Sequence, residues 1–144
     1  MIVVDINLLL YASFTTFEQH ARAHAWFKAM LNAEQQVLLP GVSVFGFVRI
    51  ATNPRIFERP LRVEEALSAV ESWLAQPHVH FLVPGPRHLQ IAFDLLRELG
   101  AARNLTTDVQ LAAHAIENQA LLCSNDADFG RFAGLRWQNP LSDR

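Results

Sequence analysis

Short apolar runs alternate with helix-length amphipathic segments along almost the whole chain, and this alternation restricts the fold more than any other feature. Aliphatic runs such as Ile2-Val3-Val4 are typical of strands buried on both faces of a parallel sheet. The pattern predicts strands at 2–4, 37–39, 79–83, 120–123 and 135–137, and helices that start near 7 and span 18–31, 42–52, 63–74, 86–99 and 108–118. Alternation of this kind favours a three-layer α/β/α domain with a mainly parallel central sheet.

Composition narrows the class of protein. The 144 residues, of which 51% are hydrophobic, are enough for one sizeable core, and we expect a single domain spanning residues 1–144. The formal net charge of −2 gives no global positive field, so nucleic-acid contact would depend on a local patch. The N-terminus reaches Asp5 without a cationic region, unlike a secretory signal, and the apolar run 37–48 is too short to span a bilayer. We therefore expect a cytoplasmic protein without a membrane segment.

Four of the six aspartates lie in three separate stretches, each at a point where a short apolar segment stops and a helix-like pattern begins. They are Asp5, Asp108 and the pair Asp126 and Asp128. Because ligands bind outside the carboxyl ends of the strands in open α/β sheets, we expect these side chains to converge. Packed carboxylates repel one another unless a cation neutralises them, and hard divalent cations prefer oxygen ligands. The sequence therefore predicts a metal-binding acidic cleft.

Each aspartate taken alone has a simpler interpretation, as a helix cap or an ordinary turn residue. Their joint placement favours the cleft. If residues 126–128 are extended, the side chains of Asp126 and Asp128 point the same way about 7 Å apart and could flank one metal or contact a pair. Divalent cations in phosphoryl-transfer sites neutralise the phosphate and lower the pKa of the attacking water.

Three further polar residues are candidates for the same cleft. Asn7 and Ser124 stand beside the acids and are suited to hold a carboxylate or a water in place, although both residue types are also common at turns and helix starts. Ser43, Gly46 and Arg49 share one face of the predicted helix 42–52. That face is a candidate cleft wall, and Arg49 is either a phosphate contact or a solvated surface arginine.

Other chemistries find less support in the sequence. The only lysine, Lys28, lies inside a helix pattern, and no Gly-Lys-Ser/Thr phosphate loop occurs. His20 and His24 have i, i+4 spacing but no accompanying third ligand for zinc. The single cysteine, Cys123, stands in an apolar run and is expected to be a small core residue.

Several segments resemble one known family. Residues 1–12, with the sequence MIVVDINLLLYA, are similar to the opening motif of PIN-domain ribonucleases, in particular the VapC toxins of bacterial toxin–antitoxin pairs. Residues 107–115 resemble the third acidic motif of that family and residues 124–129 its last one. Residues 57–73 and 137–140 are also similar to a VapC subgroup, so the resemblance runs nearly end to end.

The resemblance implies an endoribonuclease that depends on Mg²⁺ or Mn²⁺, is held inactive by a VapB-like antitoxin and forms a homodimer. Asp5, Asp108 and Asp126 match the metal-binding acids of the family, and Asp128 matches an acid often present beside them. One position departs from the pattern, because the glutamate expected in the helix after the second strand is replaced by Gly46. We expect the smaller residue to leave more room in the cleft. Magnesium needs only one or two protein carboxylates, so the remaining acids suffice for one ion.

Three functions therefore stay open on the sequence alone. The leading hypothesis is a toxin ribonuclease that hydrolyses RNA with a metal-activated water. The second is a PIN-like module that has lost catalysis with the glutamate and binds antitoxin or RNA. The third is a phosphatase-like hydrolase of small phosphate esters, against which the missing lysine and the presence of Asn7 instead of a second acid both count.

Overall fold

The computed structural model describes residues 1–142 and shows one central sheet with helices on both of its faces. The chain forms, in order, β1 Ile2–Val4, α1 Ile6–Ser13, α2 His20–Asn32, β2 Val37–Pro40, α3 Gly41–Ala51, α4 Val63–Leu74, β3 Val79–Leu82, α5 His88–Leu99, α6 Thr106–Glu117, β4 Leu121–Cys123, a 3₁₀ helix Ala127–Arg131, and β5 Trp137–Gln138. The five predicted strands and the predicted helices are confirmed, with ends that differ by at most two residues.

The sheet has the strand order β3-β2-β1-β4-β5, and every strand pair in residues 1–142 is parallel. β1 lies at the centre, where Ile2 faces Val37 of β2 on one side and Leu121 of β4 on the other. β2 and β3 are added on one side of β1, and β4 and β5 are added later on its other side. The strand order therefore reverses direction between β1 and β4, and open α/β sheets bind ligands in the crevice at such a point.

Each face of the sheet has its own apolar core. Successive strand residues point to opposite faces, so Val4 packs with helices α1 to α4, whereas Val3 packs with α5 and α6. Both valines are fully buried. This is the predicted three-layer α/β/α arrangement, and burial of both faces explains why the strands are continuous apolar runs.

Helix ends follow the chemistry of their sequence. α5 ends at Gly100, as expected, because the left-handed φ of 73° at this residue is accessible to glycine without steric cost. The N–H of Gly100 donates to the carbonyls of Leu96 and Arg97 and closes the last turn.

No helix within residues 1–142 is long and apolar enough to cross a membrane.

Candidate active site

The candidate site lies at the carboxyl ends of β1 and β4, at the reversal point of the sheet. Asp5 immediately follows β1, and its N–H donates to the carbonyl of Cys123, the last residue of β4, at 3.0 Å. Ser124 follows β4 directly and is fully buried. The parallel register therefore brings side chains from the two ends of the sequence together, as the strand-end aspartates predict.

Asp5 is a buried carboxylate, with 7% of the residue exposed. Its Oδ1 accepts a hydrogen bond from the N–H of Ile6 at 2.6 Å, which caps α1, and its Oδ2 accepts from the Ser124 hydroxyl at 2.7 Å. Burial raises the pKa of Asp5 to about 6; the bonds from Ser124 and Ile6 oppose that rise, while the charges of Asp108 and Asp126 add to it. The capping role and the cleft role thus belong to the same side chain.

Ser124 uses the full hydrogen-bonding capacity of its hydroxyl group. It donates its proton to Asp5 and accepts from the backbone N–H of Asp126 at 3.0 Å and from Nδ2 of Asn7 at 3.3 Å. A hydroxyl has one donor and two acceptor positions, so each is occupied. Ser124 therefore fixes the Asp5 carboxylate relative to the loop that follows β4.

Asn7 connects helix α1 to that loop with both ends of its amide. Its Nδ2 donates to Ser124, and its Oδ1 accepts from the N–H of Asn125 at 3.4 Å. Asn7 is on the first turn of α1, two residues after Asp5. The structure thus joins both of the predicted orienting residues, Asn7 and Ser124, to the acid that they are expected to orient.

Residues 126–128 are not extended, so the condition for an aligned pair of Asp126 and Asp128 is not met. Oδ1 of Asp126 accepts from the N–H of Asp128 at 2.9 Å, and this bond caps a short 3₁₀ helix that begins at Ala127. Asp128 is exposed, and its Oδ2 pairs with Nη2 of Arg131 at 3.0 Å. The two carboxylates are therefore held by different partners and do not form an aligned pair.

Asp108 lies in the first turn of α6, as its third residue, and is partly exposed. Burial raises its pKa, the charges of Asp126 and Asp128 raise it further, and the Arg131 guanidinium opposes them. The charge of Asp108 raises the pKa of Asp5, and the charge of Asp126 raises the pKa of both Asp5 and Asp108, although these residues lie far apart in sequence. These effects indicate that the three acids lie near the same edge of the sheet.

Both the chemistry and the spacing of these acids bear on whether they suit a metal ion. The donors are carboxylate oxygens, which match a hard divalent cation. Burial is the main cause that raises the pKa of Asp5 and Asp108, and repulsion between the acids adds to it; a positive ion would oppose both effects. Within residues 1–142, however, no three His, Cys, Asp or Glu side chains are arranged to hold one ion. The donor set fits a divalent cation, whereas simultaneous ligation by three acids would require a closer approach.

Gly46 corrects one expectation. Its position is buried against Ile6 of α1, and a methyl group at Gly46 would lie 2.9 Å from Cγ1 of Ile6 and closer still to Cδ1. The Ile6 side chain therefore occupies the space next to Gly46, so that space is not left empty, and a side chain at position 46 would require Ile6 to move. Ser43, on the same face, donates to the carbonyl of Val4 at 2.6 Å and anchors α3 to β1.

Arg49 lies in the last turn of α3, away from the end of the helix that follows β2. Its side chain is exposed and makes no hydrogen bond or ion pair within residues 1–142. The structure therefore does not join Arg49 to the acids. Arg131 pairs with Asp128 and limits the rise in the pKa of Asp108, so within residues 1–142 it is the arginine that contacts the cluster.

Two other chemistries are disfavoured by the structure. Cys123 is buried beneath the site, and burial raises the pKa of its thiol to about 12, so it is not a thiolate nucleophile at neutral pH. His20 and His24 have ring centroids 5.4 Å apart, and Nδ1 of His20 lies 2.8 Å from the carbonyl oxygen of Tyr11. No third ligand completes a metal site with them among residues 1–142.

Sequence reasoning missed the contribution of the last strand. The indole N–H of Trp137 donates to the carbonyl of Ser124 at 3.2 Å, and Nδ2 of Asn139 donates to Oδ1 of Asn125 at 3.1 Å. The available signal was the position of Asn139, directly after the final strand and before Pro140, where a side chain reaches the site edge of the sheet.

Comparisons with known proteins agree on one family. Residues 2–135 match the model of the PIN domain family. The chain is 52% identical over 143 residues to ribonuclease VapC33 of Mycobacterium tuberculosis, covering 99% of this chain and 100% of that relative. It is 41% identical over 140 residues to ribonuclease VapC37 of the same organism, covering 97% of each chain.

Solved structures share the fold at low sequence identity. VapBC-1 from nontypeable Haemophilus influenzae matches with a TM-score of 0.70 and 18% identity, covering 99% of this chain and 100% of that one. Mycobacterium tuberculosis VapC20, described as a Sarcin-Ricin loop cleaving toxin, matches with a TM-score of 0.67 and 15% identity, covering 94% and 99%. The family match over residues 2–135 and the full-length VapC relatives agree with the strand-end acids and the parallel sheet. The chain belongs to the PIN domain family, among the VapC proteins.

Proposed function

We propose that this protein is a metal-dependent endoribonuclease, the toxin of a VapBC-type toxin–antitoxin pair, that hydrolyses RNA phosphodiesters. The observation that carries the proposal is the buried Asp5 carboxylate at the β1–β4 crevice, whose pKa is raised by burial and by Asp108 and Asp126. An acid cluster that costs stability without a cation is typical of a functional site. The relatives named as VapC ribonucleases support the same activity.

In this proposal Asp5, Asp108 and Asp126 hold Mg²⁺ or Mn²⁺, and Asp128 assists through its place on the 3₁₀ helix. When bound, such a cation neutralises the phosphodiester and lowers the pKa of the attacking water. The protein's own contribution is orientation: Ser124 donates to Asp5, and Asn7 holds Ser124 and the N–H of Asn125. No side-chain nucleophile is required.

RNA reaches this site without help from a global positive field, because the net charge is −2. Arg131 is the guanidinium at the acid cluster, and it is suited to contact a phosphate there. Arg49, exposed on α3, is a more distant candidate for the RNA backbone. We assign these arginines to backbone contacts, which position a nucleic acid without reading its sequence.

The partners follow from the toxin assignment. We propose a VapB-like antitoxin that holds the enzyme inactive, a homodimeric toxin, and a cytoplasmic location where RNA and antitoxin are both present. Phe45, Phe81 and Phe93 are exposed large apolar side chains, with 68%, 48% and 47% of their surface accessible, and supply apolar area for protein contacts. Solved VapBC complexes among the structural neighbours are consistent with such a pair.

The alternative is a PIN-like module that binds antitoxin or RNA without cleaving. Two observations favour it: Gly46 stands where a glutamate is expected, and no three acids within residues 1–142 are arranged around one ion. Both functions use the same cleft, so metal dependence separates them.

The test is cleavage of total cellular RNA by the purified chain, freed of antitoxin, in Mg²⁺, in Mn²⁺ and in EDTA. The proposal predicts discrete fragments with either metal and none in EDTA. Isothermal titration of Mn²⁺ into the same preparation shows whether a tight site exists independently of turnover. A folded protein that neither cleaves RNA nor binds Mn²⁺ would contradict the nuclease and favour the binding module. Cleavage undiminished by EDTA would contradict the metal dependence.

A further inference from the structure

The turn after β5 is bound to the loop that carries Asp126. β5 pairs with β4 so that Gln138 lies opposite Cys123, which puts Asn139 beside the residues that follow β4. Nδ2 of Asn139 donates to Oδ1 of Asn125 at 3.1 Å. Asn125 stands between Ser124 and Asp126, so the contact reaches the centre of the proposed site from the edge strand.

Both ends of the Asn139 amide are in use. Its Oδ1 accepts from the N–H of Leu141 at 3.0 Å, which forms an Asx turn over Pro140. An N–H can only donate, so the oxygen of the amide must face Leu141 and the NH₂ group must face Asn125. The orientation of the Asn139 side chain is therefore set by the backbone rather than chosen between two equivalent flips.

The contact continues inward through side-chain and backbone groups. The N–H of Asn125 donates to Oδ1 of Asn7 at 3.4 Å, Nδ2 of Asn7 donates to Ser124, and Ser124 donates to Asp5. Trp137 provides a parallel connection, because its indole N–H donates to the carbonyl of Ser124. The loop from Ser124 to Asp126 is thus held from both sides of the cleft.

Asn53 provides an internal comparison for Asn139. It also precedes a proline, and its Oδ1 accepts from the N–H of Arg55 at 2.9 Å in the same i to i+2 turn. Its Nδ2, however, donates no hydrogen bond within residues 1–142. If Asn139 only formed a turn, the bond to its Oδ1 would be sufficient, as it is for Asn53. The additional hydrogen bond from Nδ2 of Asn139 to Asn125 distinguishes the two residues.

We propose that Asn139 is a positioning residue of the active site, which acts through Asn125 to hold the Ser124–Asp126 loop against Asn7 and Asp5. The inference rests on the proposed nuclease function for its effect on catalysis, but its structural part does not. Substitution of a side chain that hydrogen-bonds to a metal ligand typically lowers activity or metal affinity by 10- to 100-fold. We expect the lower value for Asn139, because it acts through Asn125 and does not contact the acids directly.

The experiment compares Asn139→Ser with Asn53→Ser, because serine can keep the i to i+2 turn but cannot reach the partner of Nδ2. One readout is RNA cleavage in Mn²⁺, separated into kcat and KM. The other is hydrogen exchange of the Asn125 and Asp126 amides in EDTA, since these N–H groups donate to Asn7 and Ser124. Asn125→Ala, which removes the acceptor but leaves the Asn139 turn, serves as the second variant.

We expect Asn139→Ser to lower kcat about tenfold with KM within about twofold, and Asn53→Ser to leave both unchanged. Exchange of the two amides should be about tenfold faster in Asn139→Ser and unaltered in Asn53→Ser. Asn125→Ala should match Asn139→Ser, and the double variant should be no worse than either. Equal effects of the two serine variants on amide exchange would overturn the inference. A wild-type chain that does not cleave RNA would remove the proposed function, while amide exchange would still decide the positioning role.

Discussion

Asp5 combines a structural and a chemical role, and the two oppose each other. Its pKa is raised from 3.8 to about 6, so the folded state binds the Asp5 proton more tightly than the unfolded state does. Without a cation, the contribution of Asp5 to the free energy of unfolding is therefore largest below about pH 4 and falls as pH rises through 6. A bound cation would favour the ionised form and reverse this loss.

Two hydrogen bonds keep the pKa of Asp5 from rising further, and the one from Ser124 has the larger effect, ahead of the one from the Ile6 N–H. The Ser124 hydroxyl donates to Oδ2 of Asp5, and this bond favours the charged carboxylate. We predict that Ser124→Ala raises the pKa of Asp5 above 6 in EDTA, as measured by carbon NMR of the carboxyl group, and moves the acid limb of RNA cleavage to higher pH. Ser72→Ala, which removes only a bond to the carbonyl of Ala69 on α4, is the control. An unchanged Asp5 pKa in Ser124→Ala would show that the hydroxyl does not stabilise the carboxylate.

The position of a single site residue was predictable from the sequence when that residue directly follows a strand. Asp5 and Ser124 follow β1 and β4 directly, so the parallel pairing brings them together. The place of Asn139 after the last strand was a signal in the sequence, but its contact with Asn125 was not predictable, because it depends on how two loops run beyond the last paired residues. Arg49 shares a helical face with Ser43 and Gly46, yet it is one turn further from the site end of α3 and is exposed.

At the scale of elements, the packing of α1 against α3 explains why glycine occupies position 46. Ile6 fills the space next to Gly46, so any side chain there displaces it. We predict that Gly46→Glu lowers the free energy of unfolding by about 1–3 kcal/mol, the usual cost of overpacking a core. Urea unfolding measures the loss.

A second substitution separates steric conflict from other causes. Ile6→Ala combined with Gly46→Glu should cost less than the sum of the two single changes, because the smaller residue at position 6 makes room for the glutamate. Gly41→Ala on the same helix is the control, since a methyl group there would meet only Cζ of Phe81 at 3.8 Å. If Gly46→Glu were as stable as the parent, Ile6 would not be the obstacle that the structure indicates.

The strands and most helices could be predicted because hydrophobic periodicity determines them. The segment at residues 126–128 could not, because the Asp126 side chain captures the N–H of Asp128 and turns the chain into a 3₁₀ helix. The last strand also differs, at Trp137–Gln138 instead of 135–137. Its pairing is set by two residues of β4, Leu122 and Cys123, rather than by its own apolar pattern.

At the scale of the whole molecule, topology assembles the site. β1 is the central strand, and the reversal between β1 and β4 opens the crevice into which Asp5 and the Asp126 loop project. Helix α6 contacts β1 and β4 on the face of the sheet that α5 and α6 cover. Its first turn brings Asp108 to the edge of the sheet where these strands end. The predicted α/β/α fold was enough to expect this convergence, whereas the spacing of the carboxylates was not predictable.

The most direct test of the account compares four matched substitutions, Asp5→Asn, Asp108→Asn, Asp126→Asn and Asp94→Asn, for RNA cleavage in Mn²⁺. Asp94 is an exposed aspartate of α5 that pairs with Arg97 and lies outside the cluster. Circular dichroism of each variant checks that it is folded. We predict losses in kcat/KM on the order of 100-fold for each of the three cluster acids and no change for Asp94→Asn. Folded cluster variants that cleave RNA as fast as Asp94→Asn would contradict the assignment of the acids as the active site.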